Sequence, residues 1–600
     1  MGKWQEGCLD QQERPARWKV ADFTLDFGKI GMADIARVGG KNASLGQLFN
    51  SLKPQGVGVL DGFAITAAAY WRLLDEGGLR AKLEALFQKF EPENMAQLAE
   101  RGHAARAAIL ETPLPADLNQ AIIDGYRRLT DRLGREVELA VRSSATAEDL
   151  PEASFAGAAE TFLNVRGTEN LLRAVHQCFA SLFTDRAISY RARLGYPQLN
   201  VALSVGVMPM VRSDTASSGV IFTLDTESGF RDVVTVTSSY GLGEFVVQGV
   251  VTPDEWLVFK PTLQQGHDAI VSRRLGSKEV RLVYAQGTRT TRSEATPIED
   301  RRRFSVRDDE VLTLAGWACL IENHYSQLAG RAMPMDIEWA KDGITGELYV
   351  LQARPETVHS AKPRTAAAAV YRLKGETGAP LVVGQAVGEK VGAGQVRVVR
   401  DGDVLVARNT DPDWEPAMRR VAAIVTDQGG RTAHAAIVSR EFGIPCIVGT
   451  GNATAVLTTG QEVTISCSEG SEGHVYSGRI PFAVDQIDAG SVPETRTKIM
   501  LTVGDPGQAF KFALIPNAGV GLARTEFIIT NHIGIHPMAL CRFPNLQDRE
   551  AIDEIRKRIG REDAREFFVR RLSEGIALIA AAFYPKPVIV RTSDFKTKPA

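Results

Sequence analysis

A short apolar run that ends in two glycines and passes straight into a helical pattern constrains this chain more than any other feature. Residues 421–425, Val-Ala-Ala-Ile-Val, are rich in branched side chains, which predicts a buried strand. The string Thr426-Asp427-Gln428-Gly429-Gly430-Arg431-Thr432-Ala433-His434-Ala435-Ala436 follows, and residues 435–442 predict a helix. A strand–Gly-Gly–helix turn directs backbone N–H groups and the positive end of a helix at one small volume, which makes an anion site. An imidazole placed there can be neutral at pH 7 and nucleophilic, and the same N–H groups would hold a phosphate it accepted. His434 is therefore the candidate catalytic nucleophile. The plainer alternative is a structural histidine at a helix start.

The composition around that turn changes twice. Residues 360–369 form a small-residue tract after a strand-like run at 348–351, and residues 485–497 are rich in Asp, Gly, Pro and Thr. These shifts predict a first domain over 1–360, a linker over 361–372, a middle domain over 373–484 carrying His434, a linker over 485–497 and a last domain over 498–600. Ten extended residues reach roughly 33 Å, enough for a domain to move bodily. The first domain mixes helical patterns (76–90, 171–194) with strand-like runs (139–141, 233–236), which predicts α+β. The middle domain has Val/Ile/Gly strands at 394–399 and 404–407. In the last domain, strand-like runs at 499–503, 519–523 and 588–590 alternate with helices, the pattern of parallel β/α units and a barrel. About three of a barrel's eight strands, in about 110 residues where such barrels take about 250, read as a barrel cut short or completed elsewhere. The predicted class is multidomain, α+β and α/β.

Bulk composition excludes several roles. Lys+Arg 70 against Asp+Glu 72 gives a formal charge of −2, so no global field recruits nucleic acid or an anionic membrane. No apolar run reaches bilayer-spanning length, and the first residues lack a signal-peptide core. Six scattered cysteines (Cys8, Cys178, Cys319, Cys446, Cys467, Cys541), none in a C-x-x-C pair, fit reduced thiols. A cytoplasmic location is the expectation, and a homo-oligomer is compatible with it.

Candidate anion and cation ligands recur along the chain. Gly39-Gly40-Lys41 before a helix suits phosphate contact, although its spacing is not that of a P-loop. Arg142 ends an apolar strand beside Ser143 and Ser144, and its guanidinium fork suits a phosphate. Asp336 and Glu338 alternate with apolar residues, so both carboxylates share one strand face and would repel unless a cation lay between them. Gln352 and Arg354 share one face of a second strand. Arg524 and Arg591 each sit at the C-terminal end of a predicted barrel strand, where barrel sites gather and where two guanidiniums suit a small dianion. Each pattern has an ordinary reading too, as a turn, a surface salt bridge or a half-solvated strand.

The string around His434, with its continuation Ile437-Val438-Ser439-Arg440-Glu441-Phe442-Gly443-Ile444-Pro445, closely resembles the phosphohistidine signature of the phosphoenolpyruvate-utilising enzymes. It departs from them at Ala433, where the family often has Cys or Ser. The strings at 142–151, 218–220, 241–244 and 252–255 resemble that family's ATP-grasp-like nucleotide domain, and those at 519–527 and 588–596 its phosphoenolpyruvate/pyruvate barrel. The resemblance implies an ATP-grasp-like first domain, a swivelling phosphohistidine β/α domain and a partial (β/α)8 barrel. It implies ATP as substrate with Mg²⁺, triphosphate contacts from Lys41, Arg142 and Arg354, and metal ligands in Glu338 and Gln352. Asp336 and Glu244 are weaker members of the ATP site, and Arg524 and Arg591 would orient pyruvate or phosphoenolpyruvate.

The implied reaction is ATP, pyruvate and water giving AMP, phosphoenolpyruvate and phosphate through a phosphohistidine, with the second half-reaction impaired if the barrel is cut short. The Asp411-Pro412-Asp413-Trp414-Glu415-Pro416 string resembles synthases of this type. The alternatives are a pyruvate phosphate dikinase, which uses inorganic phosphate instead of water, and a non-catalytic ATP-binding or phosphocarrier fragment. Thr432 is where relatives are regulated. The short linker between the first two domains disfavours the rifampicin phosphotransferases.

Overall fold

The computed structural model describes residues 23–88, 90, 94–146, 160–193, 195–285, 290–357, 368–374, 377–397, 402–410, 414, 418, 420–487, 495–560 and 562–593. Residues 147–151 of the 142–151 string, all of the 411–416 string but residue 414, the linker stretches 361–367 and 488–494, and residues 594–600 lie outside them.

The first part of the chain builds two large antiparallel sheets and a two-stranded one, Val280–Tyr284 with Thr291–Ala295. A five-stranded sheet runs in the order Thr24–Asp26, Phe63–Ile65, Leu203–Pro209, Leu139–Ala145, Thr161–Val165. Helices close over it. Ala116–Leu133 buries Leu118, Ala121, Ile122, Tyr126 and Leu129 at helical spacing, and Gly167–Ser181 buries Leu171, Val175, Cys178 and Phe179. The helix expected over 76–90 is shorter, Leu79–Leu86, because Gly77 and Gly78 both take positive φ and delay its start. The pattern over 171–194 is two helices, Gly167–Ser181 and Asp185–Arg193, broken where the Thr184 hydroxyl accepts from the Ala187 N–H at 3.4 Å.

A six-stranded sheet follows, ordered Leu348–Pro355, Met335–Lys341, Ser217–Phe222, Val233–Tyr240, Asp254–Phe259, Ile270–Arg274. The helix Asp308–Ala329 backs it, setting Val311, Leu314, Ala318 and Ile321 against Trp256 and Trp339. Each Val, Leu or Ile among them contributes about 1.5–3 kcal/mol on burial. The helix Ile35–Ser51 joins the two sheets: the Asn42 amide donates to Ser204 Oγ on one at 3.0 Å, and Ser44 Oγ donates to the Ala353 carbonyl on the other at 2.6 Å.

The middle part is a seven-stranded mixed sheet. Val404–Ala407, Ala423–Thr426 and Cys446–Val448 lie parallel at one end, and the remaining pairs run antiparallel. The chain reaches this sheet through Ala368–Leu373 and leaves through Phe482–Ile487, and these two strands pair antiparallel as a ribbon. Residues 368–372 therefore belong to a strand, not to the unstructured linker expected from composition. Beyond the ribbon, Leu501–Val503, Val520–Arg524 and Val588–Arg591 form a three-stranded parallel sheet covered by the helix Ala564–Phe583. Among the described residues no helix is long and apolar enough to cross a membrane.

Candidate functional site

The buried strand Ala423–Thr426 leads through the glycine turn to the helix His434–Phe442. Gly429 has φ 101°, open to glycine and closed to most side chains. Asp427 braces the turn: its carboxylate accepts from the Thr454 N–H at 3.0 Å, from Thr450 Oγ1 at 3.3 Å and from Thr454 Oγ1. Ala433 is the N-cap and has no side-chain acceptor for the N–H groups of the first turn. His434 is 6 % exposed, and its Nδ1 lies 3.1 Å from Thr410 Oγ1. Topology sets that contact. Val404–Ala407 and Ala423–Thr426 are parallel neighbours, so the chain leaving the first comes out beside the turn leaving the second.

The start of the histidine helix sits against the first part of the chain. Gly249 takes φ 71°, and a Cβ there would run into Ala433 and come within 3.6 Å of the His434 nitrogen. Thr252 Oγ1 donates to the Gly429 carbonyl at 3.3 Å. This seat is anchored from behind by Asp254 and Lys278, both fully buried and paired at 2.5 Å, with Asp254 also accepting from Ser305 Oγ and from the Ser305 and Gly276 N–H groups, all at 2.8 Å. The Lys278 N–H donates to the Thr252 carbonyl at 3.1 Å.

A second cluster forms where the two sheets of the first part meet. Met335–Lys341 and Leu348–Pro355 pair with Asp336 opposite Arg354 and Glu338 opposite Gln352, so all four share one face. The two carboxylates share one face, as the sequence alone suggested, and each has an arginine partner. Arg354 holds Asp336 at 2.7 and 2.9 Å, and Arg142, from the neighbouring sheet, reaches Glu338 at 3.1 Å and Gln352 Oε1 at 2.6 Å. Burial pushes the Asp336 carboxyl above its ordinary range despite Arg354. The Gly39–Lys41 segment packs on the strand that carries Arg142. Gly39, at φ 73°, kinks the Ile35–Ser51 helix and packs so tightly on Ser144 that any Cβ would collide with it. Lys41 thus follows two residues after the strand carrying Arg142 is met. Glu244 opens the short helix Glu244–Val247, is exposed, and accepts from Gln248 at 2.9 Å.

The third cluster lies at the end of the parallel sheet. Arg524 and Arg591 are register partners and both exposed; Arg591 pairs with Glu526 at 2.8 Å and Arg524 lies over the Phe527 ring. Sequence reasoning gave no individual role to Thr410, Asp427, Thr252 or Glu227. Thr410 directly precedes the 411–416 string, and that adjacency was the available signal for it.

Three family models match the chain. One described as the pyruvate phosphate dikinase AMP/ATP-binding domain covers residues 35–374, one described as the PEP-utilising enzyme mobile domain covers 399–470, and one described as the PEP-utilising enzyme PEP-binding domain covers 483–599. The phosphoenolpyruvate synthase of Synechocystis is 51% identical, with 96% of this chain and 73% of the relative aligned. The chain belongs to the phosphoenolpyruvate synthase family. The phosphoenolpyruvate synthases of Escherichia coli, 50% identical, and Aquifex aeolicus, 47% identical, are aligned over 96% of this chain and over 73% and 74% of their own lengths. The three modules of this family therefore follow one another here in the order nucleotide, mobile and phosphoenolpyruvate-binding, and His434 falls in the mobile one.

Proposed function

We propose that the chain is a dikinase that converts ATP, pyruvate and water to AMP, phosphoenolpyruvate and phosphate, with His434 carrying the phosphoryl group between two centres. One observation carries this reading: a buried histidine at an uncapped helix start, gripped at Nδ1 by Thr410 and seated on the nucleotide module. With Nδ1 engaged, Nε2 is the nitrogen that attacks the β-phosphorus of ATP. The bond from that phosphorus to the α-bridging oxygen breaks and AMP leaves. Water then takes the terminal phosphate, and the phosphoryl group left on His434 passes to the enolate oxygen of pyruvate as a methyl proton is lost.

Lys41, Arg142 and Arg354 are assigned to the triphosphate, with Asp336 and Glu244 at its margin. Their cationic groups oppose charge that shifts during transfer, and positioning and electrostatics dominate such reactions. The Glu338 carboxylate and Gln352 amide oxygen are hard donors that suit Mg²⁺ alongside phosphate oxygens, and the ion would neutralise triphosphate charge there. No group of three or more His, Cys, Asp or Glu disposed around a metal occurs among the described residues, so phosphate oxygens would complete that shell. Arg142, which bridges both donors, would turn to the phosphates when ATP binds. Arg524 and Arg591 are assigned to the pyruvate carboxylate. We assign an ATP-grasp-like domain to 1–360, a swivelling domain to 373–484 and part of a (β/α)8 barrel to 498–600.

Incubation with Mg-ATP labelled at the β-phosphorus tests the reading. Acid-labile, base-stable label on the wild type and none on His434→Asn is expected; no label on either rejects it. A second reading, with inorganic phosphate as the acceptor of the terminal phosphate, is favoured by the description of the model matching residues 35–374. Appearance of pyrophosphate only when phosphate is supplied would select it.

A further inference from the structure

The two interfaces of the nucleotide module differ in chemistry. Toward the phosphoenolpyruvate-binding module it is apolar: Val233, Phe259 and Val271 share one core with Val503, Phe510, Ile579 and Phe583. Toward the histidine module it is polar, and Glu227 lies at its centre. The Glu227 carboxylate accepts from Arg440, in the last turn of the histidine helix, and from the Gly388 N–H at 2.9 Å, and it lies 3.9 Å from Arg431. Arg431 Nε is buried with no hydrogen-bond partner among the described residues. Both arginines within 4 Å of Glu227 among the described residues therefore come from the other module, with Arg274 of its own module farther off.

Glu227 is held in place for this contact. It lies in a turn whose Asp225 carboxylate accepts from the Ser228 N–H at 2.8 Å and from Ser228 Oγ at 2.6 Å. Three residues on, Phe230 stacks on Phe510 of the phosphoenolpyruvate-binding module, ring centroids 4.6 Å apart. One hairpin turn thus touches both other modules, through an apolar ring on one side and a carboxylate on the other.

We propose that Glu227 is a positioning residue, a latch that docks the histidine module on the nucleotide module through Arg440, Arg431 and the Gly388 N–H. The proposal rests on the carrier role of His434. Ion pairs and one hydrogen bond can be exchanged for water, so this docking is reversible in a way the apolar interface is not. The latch sets how often His434 is presented to ATP, and it leaves ATP binding itself alone.

Three measurements on the full chain test it: hydrogen exchange over 384–390 and 429–440, the single-turnover rate of His434 phosphorylation, and the dissociation constant for Mg-ATP. Glu227→Gln is expected to speed exchange in both segments and to slow phosphorylation by about tenfold or more, with ATP affinity within about twofold of wild type. The paired swap Glu227→Arg with Arg440→Glu is expected to regain part of the protection and part of the rate. Wild-type exchange in Glu227→Gln, a rate loss matched by lost ATP affinity, or a swap that regains nothing would each overturn the latch. Exchange is read without turnover, so a wild type that never forms phosphohistidine sinks the carrier role and leaves the docking contact still measurable.

Discussion

The hydroxyl on His434 Nδ1 is the contact on which the chemistry turns. Thr410 is 2 % exposed and lies 3.1 Å from that nitrogen, so it orients the ring. Thr410→Val keeps the shape and removes the hydrogen bond. Leaving a buried polar group unmatched costs about 1–3 kcal/mol, so phosphorylation of His434 should slow roughly ten- to hundredfold in single-turnover assays at unchanged ATP affinity. The Glu227 latch predicts a pH response whose sign follows from its surroundings. Burial alone would raise this carboxyl, but Arg440, Arg431 and the Gly388 N–H outweigh it and hold it below its ordinary range. Arg274, Glu255 and Asp225 complete the charged groups around it. A carboxyl depressed on docking contributes above its free value, about 4.3, and that contribution is lost as pH falls through the docked value. Small-angle scattering should find the docked form unchanged from about pH 8 to about 5 and expanding only at more acid pH, with that step missing in Glu227→Gln. His434 was legible because a nucleophile, its turn and its helix are contiguous in the chain. Thr410 and Glu227 were not, because each meets its partner across strand order or across modules, where spacing carries no signal.

Pairing decided what single segments could not. The alternation at 335–339 and 351–355 placed two residues on a face of each strand, and that was readable from a period of two. Which residue stands opposite which depends on register, shifted here by an irregularity between Glu338 and Trp339, and no periodicity encodes it. That register sets Asp336 against Arg354, and Glu338 takes its arginine, Arg142, from the neighbouring sheet. The edges of the two connections escaped for the same reason. The small-residue tract and the Asp/Gly/Pro/Thr tract each look like free linker, yet their flanking residues pair with one another as Ala368–Leu373 and Phe482–Ile487. A paired ribbon moves as one piece, which predicts that tying its strands together does no harm. Tyr371 and Val484 are register partners, and facing Cα atoms about 4.5–5.5 Å apart suit a disulfide. The oxidised Tyr371→Cys/Val484→Cys variant should phosphorylate His434 within about twofold of its reduced form. A collapse of activity on oxidation would mean that the two strands must separate for the histidine module to move.

At the scale of the whole molecule, the contrast between interfaces sorts the modules into a frame and a carrier. The nucleotide and phosphoenolpyruvate-binding modules share an apolar core to which both contribute fully buried residues, Val233 from one and Ile579 from the other, and Glu574 of the latter pairs with Arg570 and Arg571 while lying 3.8 Å from Arg273 of the former. Apolar surface of that kind returns to water only at a cost that grows with area, so these modules should unfold as one unit while the histidine module, held by polar contacts, unfolds by itself. Phe230 and Phe510, stacked across the frame, provide the test. Phe→Ala at a packed site costs about 3–5 kcal/mol, and both rings lie in one contact, so the double variant should cost less than the sum of the singles. Scanning calorimetry of Phe230→Ala/Phe510→Ala should split the frame's transition into two and leave the histidine module's transition in place. Glu227→Gln should do the reverse, shifting only the latter. If both variants moved every transition together, frame and carrier would be one cooperative body, and a histidine that travels between two centres would need a different source of freedom.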